Sequence, residues 1–178
     1  MIERIIIAGS GGQGVMLLGK VLAQTAMLEG RQVSWFPAYG PEVRGGTSYC
    51  MVTISDSEIG SPYITGADTL IILNRHSLEK FIGKLKGGGL LILNSSLAKI
   101  NAQAKIKVLV FPFTDMAIKL GNIKVANMVA LGCFAAAKKI IKVKNILKVF
   151  KSIAPAGNLK ILEVNQQALA EGQKLNYG

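Results

Sequence analysis

The sequence has few of the residues from which metal centres and hydrolytic sites are built. It contains two cysteines, Cys50 and Cys133, which lie far apart in apolar surroundings, and one histidine, His76. Two such distant cysteines cannot form a CxxC metal pair or an iron-sulfur ligand run, and a single histidine excludes a histidine-rich metal site. No G-x-S-x-G nucleophile elbow is present. We therefore expect buried thiols, a surface His76, and neither a bound metal nor catalytic residues in this chain alone.

Long apolar runs are missing as well. Half of the 178 residues are hydrophobic, yet Gly, Lys or Asn interrupts every apolar segment. None reaches the roughly 18 residues that a membrane span requires. The first residues enter a strand pattern directly, without the parts of a signal peptide. We expect one domain over residues 1–178, soluble and cytoplasmic, with no membrane contact.

Acidic residues are scarce relative to basic ones. The chain has 21 Lys and Arg against 10 Asp and Glu, which gives a formal net charge of +11. Helical spacing places several lysines on exposed faces, namely Lys138, Lys142, Lys144, Lys148 and Lys151. A basic nucleic-acid module is the alternative interpretation, but no aromatic residues interleave with the basic ones and no DNA or RNA motif is present. We expect no nucleic-acid partner.

A glycine-rich turn near the start organises the chain. The β-branched run at residues 5–8 leads into Gly9-Ser10-Gly11-Gly12-Gln13-Gly14, and apolar residues recur at helical spacing over 13–29. This order predicts strand, turn and helix, the start of a Rossmann-like β-α-β unit. Glycine permits positive φ, and the N–H groups that open a helix favour an anion. The same glycines also suit a tight corner without a ligand, so both interpretations stay open.

The acidic residue of a dinucleotide site is absent from its expected place. Gly9, Gly11 and Gly14 satisfy G-x-G-x-x-G, which calls for an Asp or Glu roughly 20 residues further on, at the end of the second strand. That strand, predicted near residues 32–36, ends in Trp35-Phe36. A free-standing Rossmann-type nucleotide binder therefore remains an alternative function, and NAD is disfavoured as its ligand.

Strands and helices alternate along the rest of the chain. Further strands are predicted at residues 47–54, 69–73, 90–93 and 107–111, and further helices near 77–85, 114–120, 125–141, 145–152 and 159–171. The glycines at 87–89 are expected to end the first of these helices, and Thr114 to N-cap the next. Continuous apolar strands are typical of a sheet covered on both faces. We predict an α/β fold with a doubly wound, largely parallel sheet and a helical C-terminal segment.

Three segments are expected to meet at the carboxyl edge of this sheet, where such folds bind ligands. They are the glycine turn, the polar pair Asn94-Ser95, and the loop of Tyr39, Gly40, Pro41, Glu42, Val43, Arg44, Gly45 and Gly46. Asn127, near the start of the 125–141 helix, is also a candidate. An Asn at such a position is more often a cap or a buried hydrogen-bonding residue.

Taken together, several motifs resemble one family. They are GSGGQGV at 9–15, YGPEVRGGT at 39–47, GSP at 60–62, NSS at 94–96 and ANMVALG at 126–132. Over nearly its whole length the chain resembles the gamma subunit of 2-oxoacid:ferredoxin oxidoreductases. EVRGGT with NSS downstream is closest to the 2-oxoglutarate enzymes. Ser48, Tyr49 and Asp115 depart from the family pattern, which bears on the substrate more than on the family.

The resemblance implies an enzyme complex that decarboxylates a 2-oxoacid, transfers the acyl group to coenzyme A and reduces ferredoxin. Thiamine diphosphate, Mg²⁺ and iron-sulfur clusters would belong to alpha-, beta- and delta-type partner subunits. The isolated chain would be inactive and could self-associate. 2-Oxoglutarate is the favoured substrate, with pyruvate and branched-chain or aryl 2-oxoacids as alternatives.

The resemblance also implies roles for the candidate residues. The turn from Ser10 to Gly14 would donate backbone N–H groups to coenzyme A phosphates. Arg44 could make a bidentate contact with phosphate or carboxylate, and an internal ion pair with Glu42 is the equally suitable alternative. The remaining loop residues, with Asn94, Ser95 and Asn127, would form a subunit interface or a substrate loop.

Overall fold

One mixed sheet forms the centre of the protein. The structure is a computed structural model that describes residues 1–38, 47–101, 105–153 and 159–175. Its strands are β1 (Ile2–Ser10), β2 (Gln32–Ala38), β3 (Thr47–Ser55), β4 (Ala67–Ile72), β5 (Leu85–Asn94) and β6 (Lys107–Phe111). The α-helices in these ranges are α1 (Val15–Leu28), α2 (Arg75–Phe81), α3 (Phe113–Lys119), α4 (Ala126–Lys138), α5 (Val143–Ile153) and α6 (Leu159–Gln173).

The strand order is β2-β3-β1-β4-β5-β6. β1, β4, β5 and β6 pair in parallel, whereas β3 is antiparallel to both of its neighbours, β1 and β2. The predicted α/β fold with a largely parallel sheet is confirmed. β3 is the exception because only residues 39–46 separate it from β2, and a parallel crossover needs roughly a dozen residues or more.

Both faces of the sheet are buried, as the apolar strands predict. Ile5 and Ile7 of β1 belong to a core cluster with residues of α1, α4, α5 and α6. Ile6 and Ala8 belong to a second cluster, on the opposite face, with residues of α2. Because successive side chains of a strand point to opposite faces, burial on both sides requires an unbroken apolar run.

Helices α4 and α6 cross in backbone contact at two glycines. A Cβ atom built on Gly132 would collide with the carbonyl oxygen of Leu169. One built on Gly172 would collide with the carbonyl oxygen of Val129 and lie 3.0 Å from the amide nitrogen of Cys133. α6 therefore fixes the position of α4, which contributes to the site described below.

Three local predictions were wrong. The glycines at 87–89 do not end a helix: α2 stops at Phe81, a 3-10 turn follows at Ile82–Lys84, and β5 already begins at Leu85. Glycine inside a strand commonly marks an irregularity, and Gly88 has φ +76° and donates its N–H to the Lys105 carbonyl at 2.8 Å.

Thr114 lies inside α3, whose N-cap is Pro112. α4 ends at Lys138 rather than near residue 141, because Lys139 takes a left-handed C-cap conformation with φ 54°.

The exposed residues agree in part with expectation. His76 is exposed at the start of α2, and Lys142, Lys144, Lys148 and Lys151 are exposed on or beside α5. Lys138 is the exception, since it is partly buried and forms an ion pair with Glu3 at 2.8 Å. Within the described ranges, no helix combines the length and the apolar character needed to cross a membrane.

The two cysteines are buried, and we expect both to be unreactive in the folded protein. Burial raises the pKa of the Cys50 thiol from 9.0 to about 12, and the thiolate is the reactive form. Titration with an aromatic disulfide reagent should label neither thiol rapidly in the native chain and both after denaturation. The Cys50 thiol ionises at a lower pH in the unfolded chain than in the folded one. The stability that the buried, neutral thiol contributes should therefore be lost as the pH rises from 9 towards 12. Fast labelling of Cys50 in the native protein would contradict this assignment.

Candidate functional site

The glycine turn lies where the strand order reverses. After β1 the chain passes through α1 to β2 on one side of the sheet, whereas the chain after β4 passes to β5 on the other side. Connections that leave in opposite directions open a crevice at the carboxyl ends of the two strands. Residues 11–14 follow β1 and open onto this crevice.

The turn uses two of its glycines for positive φ. Gly12 has φ +86° and Gly14, the N-cap of α1, has φ +73°. Gly11 does not have positive φ, and a Cβ atom there would meet no atom of the described residues within 4 Å. Gly12 and Gly14 therefore use the positive φ that glycine permits, and Gly11 leaves open space in front of the backbone.

The polar side chains of the turn brace it from within. The Gln13 Oε1 atom accepts the Ser10 N–H at 2.6 Å, and the Ser10 hydroxyl contacts Asn74 Nδ2 at 2.5 Å. Gln13 Nε2 also approaches the Leu73 carbonyl at 3.5 Å. Ser10 and Gln13 therefore shape the turn. Their own N–H groups are bonded within it, since the Gln13 N–H donates to the Ser10 carbonyl at 3.2 Å, so the predicted donors narrow to the N–H groups of the three glycines.

The start of α1 suits an anion. α1 runs for 14 residues, its N-cap provides no side-chain hydrogen bond, and its first turn contains no acidic residue. The first N–H groups of a helix lack intrahelical acceptors and carry the positive end of the helix dipole. An anion bound at the start of α1 would accept hydrogen bonds from these N–H groups and would be attracted by the positive end of the dipole.

Asn127 ties α4 to the turn. Its side chain is 1% exposed, and its Nδ2 atom donates to the Gly14 carbonyl at 3.2 Å. The same carbonyl accepts the Leu18 N–H at 2.9 Å, the first backbone bond of α1. Asn127 is thus a buried hydrogen-bonding residue, as its sequence context favours. Through the Gly14 carbonyl it fixes the start of α1.

Asn94 has an internal role of the same kind. It is completely buried, and its Nδ2 atom donates to the Leu73 carbonyl at 3.1 Å and to Thr114 Oγ1 at 2.8 Å. Its Oδ1 atom accepts the N–H groups of Ser96 and Thr114, both at 3.3 Å. Asn94 therefore pins the ends of β4 and β5 to α3. Because the Thr114 oxygen accepts from Asn94, the Thr114 hydroxyl proton remains available to another acceptor.

These elements enclose a cavity of about 310 Å³, called here the glycine-loop cavity. Its lining residues come from the turn, the ends of β4 and β5, α3 and the approach to α4: Gly11, Gly12, Gln13, Leu73, Asn94, Leu97, Thr114, Ile123, Lys124 and Ala126. Ser95 is not among these residues, and its N–H donates to the Phe111 carbonyl at 2.9 Å. The turn and Asn94 come together as predicted.

Lys124 is the charged residue among those lining residues, and the sequence did not single it out. It lies in a 3-10 turn, Ile123–Val125, whose N-cap Asn122 accepts the Lys124 N–H at 3.0 Å. That capped turn places the lysine on the same cavity as Gly11 and Gly12. In the sequence, Lys124 is one of many lysines, and only its place two residues before α4 could have drawn attention to it.

The loop predicted to complete the site cannot be placed beside this cavity. Its residues all lie outside the described part of the chain: Tyr39, Gly40, Pro41, Glu42, Val43, Arg44, Gly45 and Gly46. Their roles, including the two interpretations of Arg44, remain predictions.

Comparisons with known sequences agree on one family. A family model described as pyruvate ferredoxin/flavodoxin oxidoreductase matches residues 4–175. The 2-oxoglutarate synthase subunit KorC of Methanothermobacter marburgensis is 34% identical, over 98% of this chain and 100% of that relative. The ketoisovalerate oxidoreductase subunit VorA of Methanothermobacter thermautotrophicus is 39% identical over 95% of this chain, which spans only 35% of the length of VorA. The pyruvate synthase subunit PorC of the same organism is 29% identical over 94% of this chain and 92% of PorC.

Solved structures share the fold. The gamma subunit of a keto/oxoacid ferredoxin oxidoreductase from Geobacter sulfurreducens superposes with a TM-score of 0.82 and 31% identity, over 96% of this chain and 95% of that one. A 2-oxoglutarate:ferredoxin oxidoreductase from Magnetococcus marinus, with 2-oxoglutarate, coenzyme A and succinyl-CoA bound, has a TM-score of 0.85 at 21% identity. There the similarity covers 98% of this chain and 31% of the other.

Proposed function

Since this chain belongs to the pyruvate ferredoxin/flavodoxin oxidoreductase family, we propose that it serves as the gamma-type subunit of a 2-oxoacid:ferredoxin oxidoreductase. The similarity to a gamma subunit over nearly the full length of both chains carries this proposal. In the complex, alpha-, beta- and delta-type subunits carry thiamine diphosphate, Mg²⁺ and iron-sulfur clusters, and ferredoxin takes the electrons. The complex forms an acyl-CoA from a 2-oxoacid.

Purification from the native cell tests the proposal. Affinity capture of the full chain should bring down larger subunits that contain thiamine diphosphate and iron-sulfur clusters, and the captured assembly should reduce ferredoxin when given a 2-oxoacid and coenzyme A. Recovery of the chain without such subunits, together with nucleotide binding by the chain alone, would favour the free-standing nucleotide binder instead.

We propose 2-oxoglutarate as the substrate of the assembly. The similarity to KorC along its full length supports this choice, as do the motifs EVRGGT and NSS in this sequence. Relatives named for ketoisovalerate and pyruvate are comparably similar. Specificity constants of the captured assembly for 2-oxoglutarate, ketoisovalerate and pyruvate decide among them.

We propose that the glycine-loop cavity forms part of the coenzyme A site. Gly11 and Gly12 of the turn line this cavity together with Lys124 and Thr114. Their backbone N–H groups, the lysine ammonium group and the threonine hydroxyl proton are all donors suited to phosphate. A cavity of about 310 Å³ accommodates one part of coenzyme A rather than the whole molecule. The rest of the molecule would lie against the partner subunits.

Apolar side chains at this edge suit a protein partner. Leu97 and Ile123 line the cavity and are 45% and 57% exposed, and Ile118 of α3 is 55% exposed. We propose that a partner subunit covers them and closes the cavity. In the isolated chain the same surface favours self-association.

Removing the charge of Lys124 should weaken coenzyme A binding selectively. In the assembled enzyme, Lys124→Gln should raise the KM for coenzyme A about tenfold, because a charge-assisted hydrogen bond contributes roughly 1.5 to 3 kcal/mol. The KM for the 2-oxoacid should change little. Steady-state kinetics with each substrate varied separately gives both values.

Lys119→Gln is the matched control for this variant. Lys119 is exposed at the end of α3 and is not among the residues that line the cavity. It should leave both KM values unchanged. An equal rise in the KM for coenzyme A with both variants would assign the effect to overall charge rather than to the cavity.

A further inference from the structure

A second concavity lies at the opposite end of the sheet, beyond the amino ends of β4, β5 and β6. This open groove has a volume of about 910 Å³. One wall is the end of α4 with Lys138 and Lys139, and the other contains the first residues of β6, beginning at Lys107. It is called here the basic groove.

The carboxylates beside the basic groove are already paired. Asp68, which lines it, forms ion pairs with Lys86 at 2.6 Å and Arg4 at 3.6 Å. Glu3 is buried, accepts the Thr69 hydroxyl at 2.6 Å and pairs with Lys138 at 2.8 Å. Lys107 and Lys139 are both exposed and have no carboxylate partner among the residues that the structure describes. Two positive charges without a carboxylate partner among the described residues therefore line the groove.

β6 adds a second feature to the same groove. It is the last strand of the sheet, and within the described ranges no strand pairs with its outer edge. Its residues Lys107, Val108 and Leu109 line the groove. Such an edge leaves backbone groups available to another extended segment.

We propose that the basic groove binds an extended, acidic segment of a partner protein. The segment would lie along β6, with carboxylates reaching Lys107 on one side and Lys139 on the other. A compact phosphate fits less well, because α4 presents its carboxyl end here, and the negative end of a helix dipole repels an anion held close to the backbone. A lysine ammonium group sits at the end of a long side chain, so it can bind a carboxylate that stays away from the carboxyl end of α4. This proposal does not depend on the coenzyme A site, which is at the other edge of the sheet.

Peptide binding to the full chain tests the proposal. A fluorescent, capped peptide of alternating glutamate and valine should bind at low salt, and its affinity should fall as salt is added. Lys107→Gln combined with Lys139→Asn should weaken binding about tenfold, the loss expected from removing close charge pairs. Asn suits the left-handed backbone at residue 139, so the melting temperature should be unchanged. Lys107→Arg combined with Lys139→Arg keeps the charges and should retain binding.

A second pair of lysines provides the charge-matched control. Lys148→Gln combined with Lys151→Gln removes the same charge from α5 and should leave peptide affinity within about twofold of the wild type, since distant exposed charges are screened. Equal weakening by both pairs would show that net charge alone attracts the peptide and would overturn the proposal. Inorganic triphosphate that binds more tightly than the peptide, and depends on Lys107 and Lys139, would overturn it in favour of a compact-anion site. Tighter binding of single-stranded DNA with the same dependence would likewise overturn the choice of a protein partner.

Discussion

A Gly14→Ala variant is expected to lose roughly 2 to 5 kcal/mol of folding free energy, the sum of a left-handed backbone penalty and an overpacking penalty. Gly14 has φ +73°. A Cβ atom there would collide with the side-chain amide of Asn127, whose Cγ atom lies 2.9 Å away. The buried Asn127 amide must move aside and lose its hydrogen bond to the Gly14 carbonyl, which holds α4 to the start of α1, so the assembled enzyme should also bind coenzyme A poorly. Chemical denaturation of the isolated chain measures the stability loss.

Two further variants separate the causes of that loss. Gly30 has φ +78°, and no atom of the part of the chain that the structure describes lies within 4 Å of a built Cβ. Gly30→Ala should therefore lose only the backbone part, about 1 to 2 kcal/mol. Asn127→Ala removes the colliding amide, so adding Gly14→Ala in that background should cost less than in the wild type. Strict additivity of the two changes would show that Asn127 and Gly14 are not coupled.

A Gly172→Ala variant is expected to lose about 3 kcal/mol of folding free energy, at the upper end of ordinary overpacking penalties. The atoms that its Cβ would meet, the Val129 carbonyl and the Cys133 amide nitrogen, are backbone atoms of α4. A side chain could rotate away, but a helix backbone can yield only by moving as a whole. α4 and α6 must therefore separate, and thermal denaturation should show a clearly lower Tm.

Gly83→Ala is the control for this variant. Gly83 lies in the 3-10 turn after α2, without positive φ and with no described residue within 4 Å of a built Cβ. It should change stability by less than about 0.5 kcal/mol. If Gly172→Ala melts like Gly83→Ala, the two helices are further apart than their glycines indicate.

The sequence predicts the sheet well because the signals for it are local. Unbroken apolar runs mark strands buried on both faces, and the glycine turn marks the first strand-helix corner. The boundaries at residues 81–90 were missed because a glycine run usually ends a helix, whereas here it lies in a strand. That outcome depends on pairing between β5 and β4, which is distant in the sequence.

The site was predictable only where residues adjacent in sequence create it. The turn and the end of β5 could be placed at one edge from topology alone. Lys124, Thr114 and the Gly132–Gly172 crossing depend on contacts across the fold, and their own neighbours in the sequence give no distinctive signal. Asn94 and Asn127 were found as polar residues at the right edge, but only their hydrogen bonds show their roles: Asn127 supports the turn, and Asn94, which also lines the cavity, holds the ends of β4 and β5 to α3.

The affinity of the assembled enzyme for coenzyme A after Gly11→Val tests the central claim most directly. Gly11 lacks positive φ, and none of the residues that the structure describes has an atom within 4 Å of a Cβ built there, so the valine Cβ clashes with none of them. If coenzyme A lies against the glycine turn, Gly11→Val should raise its Kd about tenfold or more, as expected when a hydrogen-bonded contact of roughly 1.5 to 3 kcal/mol is blocked. Gly83→Val, in equally open space, should leave the Kd unchanged. Isothermal titration that gives the same Kd for Gly11→Val and the wild type would contradict the assignment of this cavity to coenzyme A.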